Sequence, residues 1–207
     1  VIYHKVAQGT EEWHRLRLGI PTASNFDRIM MPSKMQLSKS ADKYIARLIS
    51  ERMSPYLPER AESYTSRSMA WGQQTEEEAR RYYALHKGVA LSPGGFCTTD
   101  DGRLGCSPDA LIGDDGGLEL KCPEPETHIR YLLKGELPDE YKPQVHGCLI
   151  VTGRKWWDFM SYAILEPFRE PLVVRVTPNL YTERLRRVIY DEFLPRYEAI
   201  FSTMKGD

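Results

Sequence analysis

Apolar residues recur along this chain with two periods, and each period predicts a different kind of element. Spacings of three and four place apolar side chains on one side of a helix, and strict alternation places them on one face of a strand. The alternation is clearest from Leu118 to Lys121, where Leu118, Leu120 and Cys122 interleave with Glu119 and Lys121. In a strand the apolar set enters a core and Glu119 and Lys121 share the other face. Val89 to Thr98, Arg103 to Ile112, Lys155 to Ala163 and Leu172 to Val176 also read as strands, the last ended by Pro178.

Helical spacing predicts the remaining elements. Thr10 caps a short helix over Glu11–Gly19, with acids in its first turn and Trp13, Leu16 and Leu18 as its inward side. A second helix runs from Pro21-Thr22-Ala23-Ser24 to about Met31, and Pro32–Lys39 is a loop. Ser40–Met53 is a helix with Tyr44, Ile45, Leu48 and Ile49 on one side, and Pro55–Ser66 reads as a linker or loop. A long helix opens at Ser68 and ends near Lys87-Gly88. After Pro123 comes a helical stretch with Ile129, Leu132 and Leu133, and Pro138 to Tyr141 opens another through Gln144, His146 and Leu149. Tyr181–Met204 is helical, with a kink at Pro195. A mixed central β-sheet flanked by helices, an α/β fold, follows.

The candidate chemistry sits where two strands turn back on each other. Gly113-Asp114-Asp115-Gly116-Gly117 is a strong turn signal between Asp109 and Glu119. A two-residue loop at Asp114-Asp115 sets Asp109 opposite Leu120, facing the core. An odd loop or a bulge sets it opposite Glu119 or Lys121. Two carboxylates on one surface repel each other unless a cation lies between them, and hard divalent ions such as Mg²⁺ or Mn²⁺ favour that oxygen-rich setting. A lysine beside such a cation can activate water or stabilise charge developing on a phosphate. Pro108-Asp109, then Glu119-Leu120-Lys121, is thus the PD-(D/E)XK nuclease pattern. The bland alternative is a polar hairpin with a surface ion pair.

Composition narrows the picture. The 207 residues fit one domain, and 41% hydrophobic with 28% charged content is ordinary for a globular protein. No apolar run approaches the ~20 residues of a membrane span, and Val1-Ile2-Tyr3-His4 does not open like a signal peptide, so a cytoplasmic location is expected. Cys97, Cys106, Cys122 and Cys148 have no C-x-x-C spacing and read as buried thiols. A net charge of −1 argues mildly against a nucleic-acid ligand, which usually calls for a basic stripe. A local basic channel within an acidic surface satisfies both observations.

Three blocks resemble the bacteriophage lambda exonuclease family, the viral alkaline exonucleases of recombination. These are W-H-R-L-R-L-G-I-P-T-A-S from Trp13, A-W-G-Q-Q-T-E from Ala70, and C-S-P-D with G-L-E-L-K-C-P around the hairpin. The resemblance spans roughly residues 6 to 200 and implies a restriction-endonuclease-like fold. It also implies a Mg²⁺-dependent 5′→3′ double-strand DNA exonuclease, with Mn²⁺ as a possible substitute, that releases 5′-mononucleotides and leaves a 3′ overhang for strand annealing. Asp109, Glu119 and the Leu120 carbonyl would hold the metal, Lys121 would activate water, and Glu76 would be the helical acid near the metals. Arg17 and Ser24 match phosphate-binding positions, and Ser107, two residues before Asp109, joins them in a 5′-phosphate pocket. Met69 matches an apolar wedge at the DNA end. Lys34 lies beside the position of a minor-groove contact, which Ser33 itself occupies. Gln144 matches an auxiliary glutamine, His146 stands where the family usually has Gln, and Trp13 and Arg67 complete the DNA-side set. A homotrimeric ring threaded by DNA, a single-strand annealing partner and a host-cell cytoplasmic site of action are implied as well. The rival readings are a restriction- or repair-type endonuclease and a non-catalytic DNA-end-binding scaffold.

Overall fold

The computed structural model describes residues 1–54, 67–165 and 170–206, with the backbone alone described over 67–74. The predicted linker and the side chains of Arg67 and Met69 fall outside the described set. Among the described residues seven strands form two sheets. β1 (Ile2–His4), β2 (Phe96–Thr98) and β3 (Gly105–Cys106) make an antiparallel sheet, and β4 (Ala110–Ile112), β5 (Gly116–Lys121), β6 (Trp156–Ser161) and β7 (Leu172–Val176) make a mixed one in that order. β5 and β6 are parallel, so the chain must leave the sheet and return between them. It does so through α4 (Pro125–Lys134), a 3-10 turn at Asp139–Tyr141 and α5 (Lys142–Thr152). The other helices are α1 (Glu11–Arg17), α2 (Ala41–Met53), α3 (Arg67–Lys87), α6 (Leu180–Arg187) and α7 (Leu194–Lys205). Among the described residues no helix is long and apolar enough to cross a membrane.

Strand β5 is covered on both faces, and that fixes the character of the site. On one face Leu118 and Leu120 pack with Ala79, Tyr83, Met160 and Tyr162 in a small core under α3. Trp157 and Phe159 of β6 belong to the larger core, with α2, α5, α6 and α7. Glu119 therefore does not lie on an open sheet face, as simple alternation predicts; it is only 2% exposed. Its neighbours Gly116 and Gly117 pair with Trp156 and Trp157. A Cβ at Gly117 would come within 2.3 Å of the Trp157 ring, and one at Gly116 within 2.1 Å of Trp156. These two glycines make room for indoles and belong to the strand. The turn itself is the three residues 113–115, with Gly113 at a φ of +51°. Arg154 closes it by donating to the carbonyls of Gly113 and Gly116, at 2.8 and 2.6 Å.

Several predicted elements are shorter or different. Pro93, Gly94 and Gly95 interrupt the first predicted strand, leaving Phe96–Thr98, and Ser107-Pro108 divides the second into β3 and β4. Proline supplies no ladder N–H, which accounts for the second break. The predicted helix after Pro21 is a six-residue 3-10 helix, Ala23–Arg28, locked to α5 by the close approach of Phe26 to Gly147. In α1 the Thr10 hydroxyl accepts from the Trp13 amide as predicted, but the inward side is half-buried rather than buried. α4 buries His128 and Tyr131, while Ile129 and Leu133 are exposed. Near Pro195 the helix widens into a π turn over Val188–Phe193. Pro195 has no N–H to return to the preceding turn, and α7 restarts with it in its first turn.

The glycine–indole contact yields a direct expectation. Gly117→Ala forces the added methyl against Trp157 and should cost about 1–3 kcal/mol, as overpacking does, lowering Tm by several degrees in a calorimetric melt. An unchanged Tm would mean that the Trp157 ring moves aside freely.

Candidate active site

The three-residue turn resolves the parity question by placing Asp109 opposite Glu119. Ala110 pairs with Leu118, and the Asp109 amide donates to the Leu118 carbonyl at 3.2 Å, extending the ladder by one residue. The Asp109 carboxylate then accepts from the Leu120 amide at 2.6 Å. Asp109 is thereby held by the strand that carries Glu119 and Lys121. Gln8 donates to the Pro108 carbonyl at 2.9 Å and steadies the residue before it.

Glu119 is satisfied on one oxygen only. Its Oε1 accepts from Lys121 Nζ and from Gln144 Nε2, both at 2.6 Å, whereas among the described residues nothing donates to the buried Oε2. A buried carboxylate oxygen without a donor is costly. The charge state reflects that cost. Burial first, and then the Glu119 charge, push the Asp109 carboxyl up to about 8, and burial also raises Glu119. Burial alone would lower the Lys121 ammonium, but Glu119 and Asp109 outweigh it and hold it well above its usual value. Lys121 stays charged while the acid pair is reluctant to carry two negative charges.

A hard divalent cation would relieve this arrangement. Among the described residues no trio of His, Cys, Asp or Glu side chains is assembled as a ready metal site. The oxygens that fit are Glu119 Oε2, the Asp109 carboxylate and the carbonyl of Leu120, the residue after Glu119, an oxygen-only set suited to Mg²⁺ or Mn²⁺. Glu76 stands at the edge of the same site on α3. Thr75, Ala79 and Tyr83 are buried along one stripe of that helix, which turns Glu76 and Arg80 to its flank. Glu76 Oε1 accepts from Arg80 at 2.9 Å, and its charge helps raise both Asp109 and Glu119.

A second cluster lies one step along the chain. Arg17 donates to Ser107 Oγ at 2.8 Å and to Thr22 Oγ1 at 3.4 Å, and stacks on the Trp13 ring at 4.1 Å. The Trp13 indole N–H donates to the same Ser107 oxygen at 3.0 Å. Ser24 is exposed and joins through Thr22, 3.4 Å away. Among the described residues Arg17 forms no ion pair, so its charge is set among hydroxyls and an aromatic ring. The link to the carboxylates is the backbone. Gly105 donates to the Pro21 carbonyl and bridges to Thr22, and four residues later the chain reaches Asp109.

Some sequence candidates stand elsewhere. His146 is 3% exposed, bonds to Thr182 Oγ1 at 2.7 Å and packs on Tyr181; burial pulls it down to about 4. It docks α5 on α6 and does not enter the site, because two positions along a helix from Gln144 points to a different side. Lys34 is exposed on its loop. Met69 and Arg67 lie outside the described side chains. Thr22, Gln8 and Arg80 escaped the sequence reading; only Thr22 had a visible cue, as a hydroxyl between Arg17 and Ser24.

The YqaJ-like viral recombinase domain profile matches residues 12–155. The chain belongs to that family. The alkaline exonuclease LHK-Exo of Laribacter hongkongensis is 31% identical, with 95% of this chain and 96% of that one aligned at a TM-score of 0.79. The same enzyme in complex with dAMP aligns at 29% identity and a TM-score of 0.80, over 95% and 96% of the two chains. A phage-related exonuclease from Haemophilus somnus 129PT shares the fold at 13% identity and a TM-score of 0.65, covering 89% of this chain and 96% of its own. No curated protein sequence matches the chain. The mixed sheet with its flanking helices is therefore the alkaline-exonuclease, restriction-endonuclease-like architecture that the sequence predicts.

The raised carboxyls make stability depend on pH. A carboxyl whose folded value exceeds its unfolded value takes up a proton on folding, so its contribution is present at low pH and is lost as pH rises. For Asp109 the window runs from the ordinary 3.8 to about 8. Differential scanning calorimetry in chelator should show Tm falling across that range, and Mg²⁺ at pH 8 should restore several degrees. A metal-independent Tm would contradict the assignment.

Proposed function

We propose that this chain is a Mg²⁺-dependent DNA exonuclease that digests double-stranded ends 5′→3′, releasing 5′-mononucleotides and leaving a 3′ single strand. The observation that carries this reading is the pairing of two clusters on one segment: a buried acid pair with an unpartnered oxygen, and two residues before Asp109 an arginine–hydroxyl pocket. Its family membership supports nucleolysis, and the alkaline exonuclease relative bound to dAMP, a nucleoside monophosphate, is consistent with a mononucleotide product.

Each residue then has a task. Asp109, Glu119 and the Leu120 carbonyl hold the cation, which when bound lowers the pKa of water and offsets charge on the phosphate under attack. Gln144 and Lys121 fix the Glu119 carboxylate by its other oxygen. Lys121, permanently charged and 28% exposed at its side chain, faces the reacting phosphate with an ammonium that stabilises its developing charge. Arg17 presents a planar fork to a terminal 5′-phosphate, with Ser107, Ser24 and the added Thr22 as hydroxyl partners and Trp13 as the stacking surface that orients it. Each cut that leaves a 5′-phosphate regenerates the group this pocket holds, which gives the reaction its direction.

We further propose that residues 1–207 act as one nuclease domain, that three copies form a ring around the duplex, and that a single-strand annealing protein receives the 3′ strand in the host cytoplasm. With a net charge of −1, topological retention would do what surface charge does not. Met69, just before Ala70-Trp71-Gly72, is the proposed wedge at the duplex end, and Lys34 and Arg67 the proposed outer DNA contacts.

End-labelled linear duplexes with 5′-phosphate or 5′-hydroxyl ends, beside a covalently closed circle, test the reading. The wild-type chain should prefer the phosphorylated end and spare the circle. Arg17→Ala should erase the end preference, and Lys121→Ala should slow release on the order of 10²-fold or more. Equal rates on both ends, or cleavage of the circle, would refute the end-directed mechanism.

A further inference from the structure

Arg80 touches two parts of the site that belong to different elements. From α3, one turn after Glu76, its guanidinium donates through one terminal nitrogen to Glu76 Oε1 and through the other to the main-chain carbonyl of Asp109. The first contact is within one helix; the second crosses to Asp109, the residue before β4. Such a bridge requires a planar group with two donors aimed apart, which arginine has and lysine lacks. The helix behind it is rigidly seated. Ala79 and Tyr83 are buried against β5 and β6, Tyr83 donates to Asp158 at 2.5 Å, and Tyr162 donates to Glu78 at 2.8 Å. Arg80 is thus a fixed strut between a docked helix and the start of β4, and Glu76 is held by the strut's near end.

We propose that Arg80 is a positioning residue of the exonuclease, keeping the Glu76 carboxylate in register with Asp109 while withholding it from direct capture of the cation. The proposal rests on the metal-dependent reading above. The electrostatic reasoning is simple. Three carboxylates, Glu76, Asp109 and Glu119, stand around one region: Arg80 ties Glu76 to Asp109, and Asp109 lies opposite Glu119 across the ladder. Asp109 and Glu119 have roles close to the cation, but a third acid free to swing in would bind it more tightly in a different geometry. The half-buried Arg80 supplies the positive charge and the direction that keep Glu76 at the periphery. Tighter metal binding and slower turnover should then appear together when Arg80 is removed, a combination that loss of folding does not produce.

The test measures Mg²⁺ binding to the DNA-free chain by isothermal titration calorimetry. It also measures kcat and KM on end-labelled linear duplex at saturating Mg²⁺. Arg80→Ala should tighten Mg²⁺ binding on the order of threefold to tenfold, as expected for removal of one partly exposed charge near a cation, while lowering kcat at least tenfold with little change in KM. Arg80→Lys, which keeps the charge but cannot bridge both acceptors, should bind Mg²⁺ as the wild-type chain does and still turn over slowly. In a Glu76→Gln background the tightening caused by Arg80→Ala should disappear, because the two residues act as a unit. Weaker Mg²⁺ binding in Arg80→Ala, or tightening that survives Glu76→Gln, would overturn the proposal. So would wild-type kcat in Arg80→Lys, which serves even if Arg80→Ala does not fold. Absence of Mg²⁺ binding by the wild-type chain would overturn the metal reading itself and this proposal with it.

Discussion

The structure around the site depends on one unfavourable placement, the Glu119 carboxylate at the centre of a sheet covered on both faces. A carboxylate there must be neutralised, paired or metal-bound, and the surrounding residues supply half of what it needs. Lys121 and Gln144 satisfy one oxygen, and among the described residues nothing donates to the other. Gln144 is available because the parallel pairing of β5 and β6 compels a crossover, and that crossover lays α5 against the sheet beside Glu119. Under the proposed function, the cost of that buried oxygen is what would give the site its affinity for a hard cation.

The segment that runs into β4 couples the acid pair to the proposed end-binding pocket. Asp109 enters the ladder through the Leu118 carbonyl and the Leu120 amide, and Ser107, two residues earlier, is the shared acceptor of Arg17 and Trp13. Pro108 lies between them with its carbonyl held by Gln8, and a Cβ on Gly94 would meet that carbonyl at 2.0 Å. Little slack remains between the two clusters. Under the proposed function, a phosphate held by Arg17 would be placed with respect to Asp109 by backbone geometry rather than by flexible side chains, which is what a reaction sensitive to sub-ångström alignment requires.

The general fold and the identity of the central hairpin were legible because their signals are local. Alternation through Leu118–Lys121, the helical spacing of Tyr44, Ile45, Leu48 and Ile49, and the cap at Thr10 each depend on a few adjacent residues. What was not legible depends on partners far along the chain. Gly116 and Gly117 read as turn residues, since only Trp156 and Trp157, some forty residues on, reveal them as strand positions. That ambiguity is why the parity of Asp109 stayed open. Arg80 carried no sequence signal because one of its acceptors is a main-chain carbonyl, to which a sequence gives no clue. Thr22 acquires its place only through the bridge to Gly105. His146 drew notice by its residue type and its neighbour Gln144, yet the helix turns it toward Thr182. In α4 the apolar spacing of Ile129 and Leu133 pointed inward, whereas the sheet takes His128, which bonds to Ser161 at 2.8 Å.

The central claim is that the Glu119 charge, and not merely a side chain of that size, organises a metal-dependent nuclease. Glu119→Gln keeps the shape and removes the charge, so the decisive measurement is acid-soluble nucleotide release from linear duplex in Mg²⁺ by this variant beside the wild-type chain, with melting temperatures of both in chelator. The account predicts that Glu119→Gln releases no nucleotide above the metal-free background while melting at the wild-type temperature or higher, since an uncompensated buried carboxylate has been taken away. Nucleotide release at the wild-type rate by Glu119→Gln would contradict it.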